Sequence, residues 1–392
     1  MAVPVNNVGP TSLPASPTEQ NSLPHESDNG SKEKRIALEE MRIEVVVDKE
    51  GREQTIVRDA RGYLDSGNES LGDGDYKSAL VAYTHLINDF SESSLVGPAL
   101  YNSGLAHEGL EEIDAAVEKY NVLAARNPSA RNGVDAQIRI AGLFAEYERW
   151  PEALSSLDTL LAIADLKTSD RLEAQARRGY VLLESKDFAA SEVALNEAIA
   201  FANQSRSKAE LQGDYYVGMA HFYLGDIARR QFDEIPIRLP EDQMARDIEA
   251  KAVLANLASD RFGETVGAGN IYWATAAGFR LADVQNQFWR SLVRAPVPPH
   301  LSGQVAEIYV VEVHKQSLAF LLKALNIHGK NVKLATIYKG PTSWSRASER
   351  EVVRLTELIG REQAGELAVG QAAVEPSQGR SNADYVPGRI EL

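Results

Sequence analysis

Three alanines, Ala79, Ala116 and Ala153, stand at one spacing, 79 to 116 and 116 to 153, which is 37 residues each time. Phe188 follows Trp150 by 38 residues (150 to 188), so the rhythm continues into a fourth copy. Around each alanine the same grammar recurs. Gly67, Gly74, Tyr76, Ala79 and Tyr83 form one unit, and Gly104, Ala116, Tyr120 and Pro128 the next. Ala141, Phe144, Trp150, Ala153 and Leu157 form a third, and Gly179, Phe188, Leu195 and Ala198 a fourth; Gly218 and Gly225 open a fifth. A small residue in a first helix lets a second helix approach. The alanine of that second helix does the same from the other side, and the large residue one turn later fills the space beyond. Helices of this length are marginal alone. Each unit must therefore bury its apolar face on its neighbours, and the chain is constrained to stacked helical hairpins.

The segment from Leu100 to Pro128, LYNSGLAHEGLEEIDAAVEKYNVLAARNP, resembles the tetratricopeptide repeat, whose usual period is about 34 residues. The longer period here implies longer turns or helix ends. The resemblance covers about residues 60–235 and implies an all-α fold, a tetratricopeptide superhelical solenoid of about four and a half repeats. Within that family, DYKSALVAYTHLINDFSESSLVGPALYNSGLAHEGL is similar to bacterial cell-envelope members of the outer-membrane assembly lipoprotein type. Residues 236–360 resemble envelope scaffold proteins of the myxobacterial gliding machinery. The resemblance implies a non-catalytic protein–protein interaction scaffold in an envelope assembly or motility complex, periplasmic or attached to the outer membrane.

Residues 1–30 carry no positive start followed by an apolar core, and the chain has no cysteine to accept a lipid. The envelope reading therefore requires a leader removed from the chain, and a cytoplasmic location is the alternative. The absence of cysteine also excludes disulfides, thiolate metal sites and cysteine nucleophiles. A net charge of −15 argues against nucleic acid and anionic membranes as partners. No run of apolar residues is long enough for a transmembrane helix.

In tetratricopeptide solenoids the first helix of each repeat lines a concave groove. Carried onto this chain, the resemblance puts Leu64, Asn68 and Leu71 there from the first repeat, and Tyr101, Leu105 and Glu108 from the second. The third contributes Asp135 and Ile138, the fourth Tyr180 and Leu183, and the fifth Tyr215, Met219 and Phe222. Such an apolar and aromatic groove suits an amphipathic helix or an extended peptide from a protein partner. The same positions also serve as interhelix core in many helical stacks, and the sequence leaves both readings open. Only Asn68 fits the set that grips a peptide's carboxylate terminus.

Residues 1–34, rich in Pro, Ser and Asn, read as a disordered tether, and residues 35–59 as a lead-in. Within the lead-in, residues 42–57 form either a small β-hairpin turning at Lys49–Gly51 or an irregular segment. After Asp226 the second helix of the fifth unit runs into Pro236 and Pro240. Helices are then expected over 241–262, 268–293, 303–327 and 345–359, followed by a disordered tail, 361–392. The third of these is apolar nearly all round and is expected to be the most buried. The stripe Trp273, Ala277, Leu281, Val284, Phe288 and Leu292 reads as the core of this C-terminal helical region, or as a face for homo-oligomerisation.

Signals for chemistry are weak. The histidines are scattered, at 25, 85, 107, 221, 300, 314 and 328, without metal-ligand spacing, so no metal and no cofactor is expected. The glycines of GETVGAG, 263–269, follow a helix rather than a strand and lack a phosphate-loop ending. No Ser/His/Asp set emerges, so no catalytic residue is assigned. The alternative function is a small-ligand or catalytic module in the C-terminal helices, with acids or His314 lining a pocket between 241–262 and 303–327.

Overall fold

The computed structural model describes residues 41–47, 51–126, 128–338 and 340–369. The expected tether, 1–34, lies outside them, as does 370–392 of the expected tail; residues 361–363 and 366–369 of that tail are instead helical, in helices that run to Gln363 and over Glu366–Val369. The contacts divide the chain into two compact units, one up to Leu143 and one from Phe144.

The first unit opens with β1 (Met41–Val47) and β2 (Glu53–Asp59), an antiparallel pair in which Ile43 faces Val57. The expected hairpin over 42–57 is thus borne out in its paired strands, with Gly51 at φ +79° just ahead of β2, while Lys49 and Glu50 of the expected turn lie outside the described residues. Asp59 ends β2 and caps α1 (Ala60–Gly72), its carboxylate accepting from the Gly62 amide at 2.7 Å. Three more helices lie wholly in this unit: α2 (Tyr76–Asp89), α3 (Val96–Gly109) and α4 (Ile113–Arg126). The unit boundary falls inside α5 (Arg131–Glu146).

The repeat grammar has a direct structural meaning. A Cβ on Gly67 or Gly104 would sit under 3.0 Å from the ring of Tyr83 or Tyr120, so each glycine is the floor on which the aromatic of its partner helix rests. Ala79 and Ala116 are fully buried beside these contacts. The turns share one conformation. Gly74, Glu111, Glu148 and Lys186 stand 37, 37 and 38 residues apart (74, 111, 148, 186), and all have positive φ, between 56° and 75°. Only the first is glycine.

The second unit continues the pattern with α6 (Trp150–Leu161), α7 (Thr168–Glu184) and α8 (Phe188–Ser205). Gly179 receives Leu195 as Gly104 receives Tyr120. Ser191 occupies the alanine position and, fully buried, donates to the Gly179 carbonyl at 2.8 Å. A short α9 (Lys208–Leu211) leads to α10 (Tyr215–Glu234). This corrects the expected fifth unit. Its first helix does not stop near Asp226 but continues to Glu234, and its packing partner is α11 (Glu241–Gly267), whose Phe262 ring lies 2.6 Å from where a Cβ on Gly225 would be. Lys251 of α11 donates to the carbonyls of Phe232 and Ile235 at 2.6 and 2.9 Å, satisfying the end of α10.

Next come α12 (Ile271–Val293), α13 (Gln304–Ile337), α14 (Ser343–Gln363) and α15 (Glu366–Val369). The α12 stripe is core: Trp273, Ala277, Val284 and Phe288 are buried, while Leu281 and Leu292 are half-buried. The expectation for 303–327 is overturned. α13 buries His314, Ser317, Leu321, Ala324, His328, Asn331 and Ala335, and leaves Val305, Ile308, Val311 and Leu322 exposed. The reason is complementary polarity. Asn331 Nδ2 donates to the Thr275 carbonyl (2.8 Å) and to Ser348 Oγ (2.9 Å), and His328 Nδ1 lies 3.1 Å from the same hydroxyl. The neighbouring helices thus engage Asn331 Nδ2 and His328 Nδ1, which would otherwise resist burial, while Asn331 Oδ1 is buried without a partner among the described residues.

Candidate peptide-binding surface

In the first unit, the expected positions Asn68, Leu71, Tyr101, Leu105, Glu108, Asp135 and Ile138 are half-buried, and Leu64 is buried. Their helices, α1, α3 and α5, are tied to one another by side chains. Asn68 Oδ1 accepts from Asn102 Nδ2 at 2.7 Å and from the Tyr83 hydroxyl at 2.9 Å. Arg139 clamps Glu108 with both Nε (2.8 Å) and a terminal nitrogen, and the Tyr120 hydroxyl donates to the same carboxylate at 2.6 Å. Asp135 is held by Arg131 at 3.1 Å.

These partners set the electrostatics. Burial first, then the Glu108 charge, pushes the Tyr120 hydroxyl far above its ordinary range, so it stays protonated and donates. Burial also raises Tyr101, whose ring centre lies 5.4 Å from that of Tyr120. Glu108 is therefore engaged in holding three helices together rather than presented to a ligand. Sequence reasoning missed Asn102 and Arg139. Asn102 follows Asn68 by 34 residues (68 to 102), and Arg139 adjoins Ile138, so a search for polar pairs between first helices finds both.

In the second unit the carried-over residues fare differently. Leu183 is fully buried, Met219 and Phe222 are 1% and 2% exposed, and Tyr180 is 6% exposed. The Tyr180 ring centre lies 5.0 Å from Tyr223, and Phe222 sits among Phe262, Trp273 and Trp344. Only Tyr215 is half-buried, with its ring 5.3 Å from Trp273. This corrects the assignment of Leu64, Tyr180, Leu183, Met219 and Phe222: their side chains point into helix contacts and form core rather than groove.

The expected alternative pocket is not formed as drawn. α12 packs on both α11 and α13. His314 instead faces α14: its Nδ1 lies 2.9 Å from the Glu362 carboxylate, which also accepts from Trp289 Nε1 at 3.0 Å. Among the described residues no group of three or more His, Asp or Glu is placed to hold a metal, and no helix is long and apolar enough to cross a membrane.

No family model matches the chain, and no curated protein matches it. Solved structures resemble it. A tetratricopeptide repeat protein from Parabacteroides merdae is 13% identical, over 76% of this chain and 98% of its own, with a TM-score of 0.36. The apo form of RapI is 13% identical, over 77% and 99%, at 0.39. MamA from Desulfovibrio magneticus is 17% identical, over 50% and 94%, at 0.33. These are likenesses of fold at low overlap. The fold of this chain as a stack of helical hairpins stands on its own helix pairs, on their 37-residue spacing and on the glycine floors beneath Tyr83 and Tyr120.

Proposed function

We propose that this chain is a non-catalytic scaffold that takes a partner's amphipathic helix or extended peptide along the α1, α3 and α5 faces of its first unit. The observation that carries this reading is the contrast among neighbouring side chains. Asn68, Glu108 and Asp135 are engaged by Asn102, Arg139 and Arg131, while Leu71, Tyr101, Leu105 and Ile138 stay half-buried beside them. A rigid polar frame with apolar side chains set between its ties suits recognition by burial of a partner's apolar residues. The sequence likeness of residues 75–110 to envelope members supports a place in a bacterial envelope assembly or motility complex.

Affinity capture from membrane and cytosolic fractions, kept separate, tests both parts. Leu71→Arg with Leu105→Arg is expected to abolish capture at unchanged helicity. Val81→Arg with Val122→Arg, at exposed positions of the second helices, is expected to leave it intact. Capture that survives the first pair overturns the surface, and capture confined to cytosol overturns the envelope assignment.

A further inference from the structure

α13 presents an apolar face to solvent. None of residues 304–313 is buried, and Val305, Ile308, Val311 and Leu322 are 56%, 61%, 48% and 45% exposed. Scattered exposed side chains need no explanation, but several along one side of a helix do. The charges on the exposed side are segregated as well. Glu307 and Glu312 come first, and Lys315, Lys323, Lys330 and Lys333 follow. Among the described residues Glu312 is engaged only within its helix, by Gln316 at 2.7 Å and by a long 3.8 Å contact to Lys315.

We propose that this face pairs with the same face of a second copy of the chain, with the two α13 helices antiparallel. Charge complementarity favours this pairing. A parallel pair would set Lys323, Lys330 and Lys333 beside their own copies and align the two helix dipoles. An antiparallel pair sets acids beside lysines and opposes the dipoles. The register that puts Glu312 against Lys315 (312 + 315 = 627) also puts Ile308 against Ala319 and Val305 against Leu322, which have the same sum. The paired stretch from Val305 to Leu322 is then about 27 Å long at ~1.5 Å per residue. With a net charge of −15, two copies repel elsewhere. On the exposed side of the paired stretch each copy sets Glu307 and Glu312 near Lys323 and Lys315 of the other, so self-association is favoured there. This contact is independent of the first-unit surface, and either can fail without the other.

Sedimentation equilibrium of the full chain tests it. A dimer is expected. Ile308→Glu with Leu322→Glu, both at exposed sites, should weaken it by more than about a hundredfold, because carboxylates would be desolvated on pairing, at unchanged helicity. Glu307→Lys with Glu312→Lys should weaken it too, and adding Lys315→Glu with Lys323→Glu should restore it. The natural chain has no cysteine, so engineered thiols report geometry cleanly. Ile308→Cys chains should cross-link to Ala319→Cys chains and not to each other. At this register the two Ile308 positions lie about 16 Å apart along the axis, beyond the ~7 Å reach of a disulfide. A monomer at the highest soluble concentration overturns the proposal, as does a dimer that survives Ile308→Glu with Leu322→Glu. Ile308→Cys self-cross-linking overturns it in favour of a parallel pair. A monomer whose α13 binds a hydrophobic dye only after deletion of residues 370–392 overturns it in favour of the chain's own tail.

Discussion

At Gly104 the two helices of a repeat approach as closely as backbone allows, and the Tyr120 ring occupies the space a side chain would need. Gly104→Ala is therefore expected to destabilise by about 1–3 kcal/mol through overpacking, although alanine is the better helix former. A urea midpoint that rises instead would show that the ring moves aside freely. The turns make the opposite case. Glu111, Glu148 and Lys186 hold positive φ at positions where Gly74 does so without a side chain. Replacing any of them by glycine is expected to stabilise by about 0.5–1 kcal/mol, the left-handed penalty less glycine's extra entropy, and denaturant titration of the single variants measures it. At His328, burial lowers the pKa to about 4, while Glu351 and Asp283 raise it slightly and Arg354 lowers it. Above the unfolded value of about 6.5 the ring is neutral in both states. As pH falls the unfolded chain takes the proton first, and the folded chain only near pH 4. Stability is therefore full above the unfolded value and declines toward pH 4, by about 3 kcal/mol. His328→Gln should flatten that stretch of the stability–pH curve, which equilibrium unfolding at stepped pH resolves.

Among the elements, α13 separates what hydropathy reports from what packing decides. Its sequence is rich in apolar residues on every side, so hydropathy alone predicts a central helix. The structure turns its histidines and asparagine inward where Thr275, Ser348 and Glu362 on the adjacent helices offer partners to His314 Nδ1, His328 Nδ1 and Asn331 Nδ2, and no count of apolar residues registers such contacts. Two neighbouring leucines test the orientation. Leu321 is fully buried with Trp289, Leu355 and Ile359, while Leu322 is 45% exposed. Leu321→Ala is expected to cost about 2–5 kcal/mol. Leu322→Ala should change the stability of the monomeric fold by no more than about 0.5 kcal/mol. Equal losses in thermal or urea unfolding would refute the inward face. By contrast the glycine floors and the α12 stripe were legible, since each rests on a local rule of residue size and spacing, whereas the turns at Glu111, Glu148 and Lys186 carry no glycine to announce their positive φ. Tyr180, Met219 and Phe222 were misread for a similar reason to α13. An aromatic on a first helix looks the same in sequence whether it faces a groove or Trp273, and only the partner helix decides.

Across the whole molecule the charge of −15 has no single address, and it bears on which partners the first-unit surface can take. On that surface the acids are locally compensated, Glu108 by Arg139 and Asp135 by Arg131, so the near field offers apolar contact and little net charge. Beyond about 8 Å at physiological salt such local pairs are screened, and an approaching peptide meets the excess of acids as a weak attraction or repulsion. Association should therefore be faster for basic amphipathic peptides than for acidic ones of equal apolar content, while dissociation, set by the buried contacts, should differ little. A displayed library of amphipathic helices panned against the chain is expected to enrich net-positive sequences at low salt. The charge preference should fade at high salt while the apolar pattern persists. Enrichment that ignores charge at low salt would mean that the field at the surface is neutral and that Leu71, Tyr101, Leu105 and Ile138 alone select the partner.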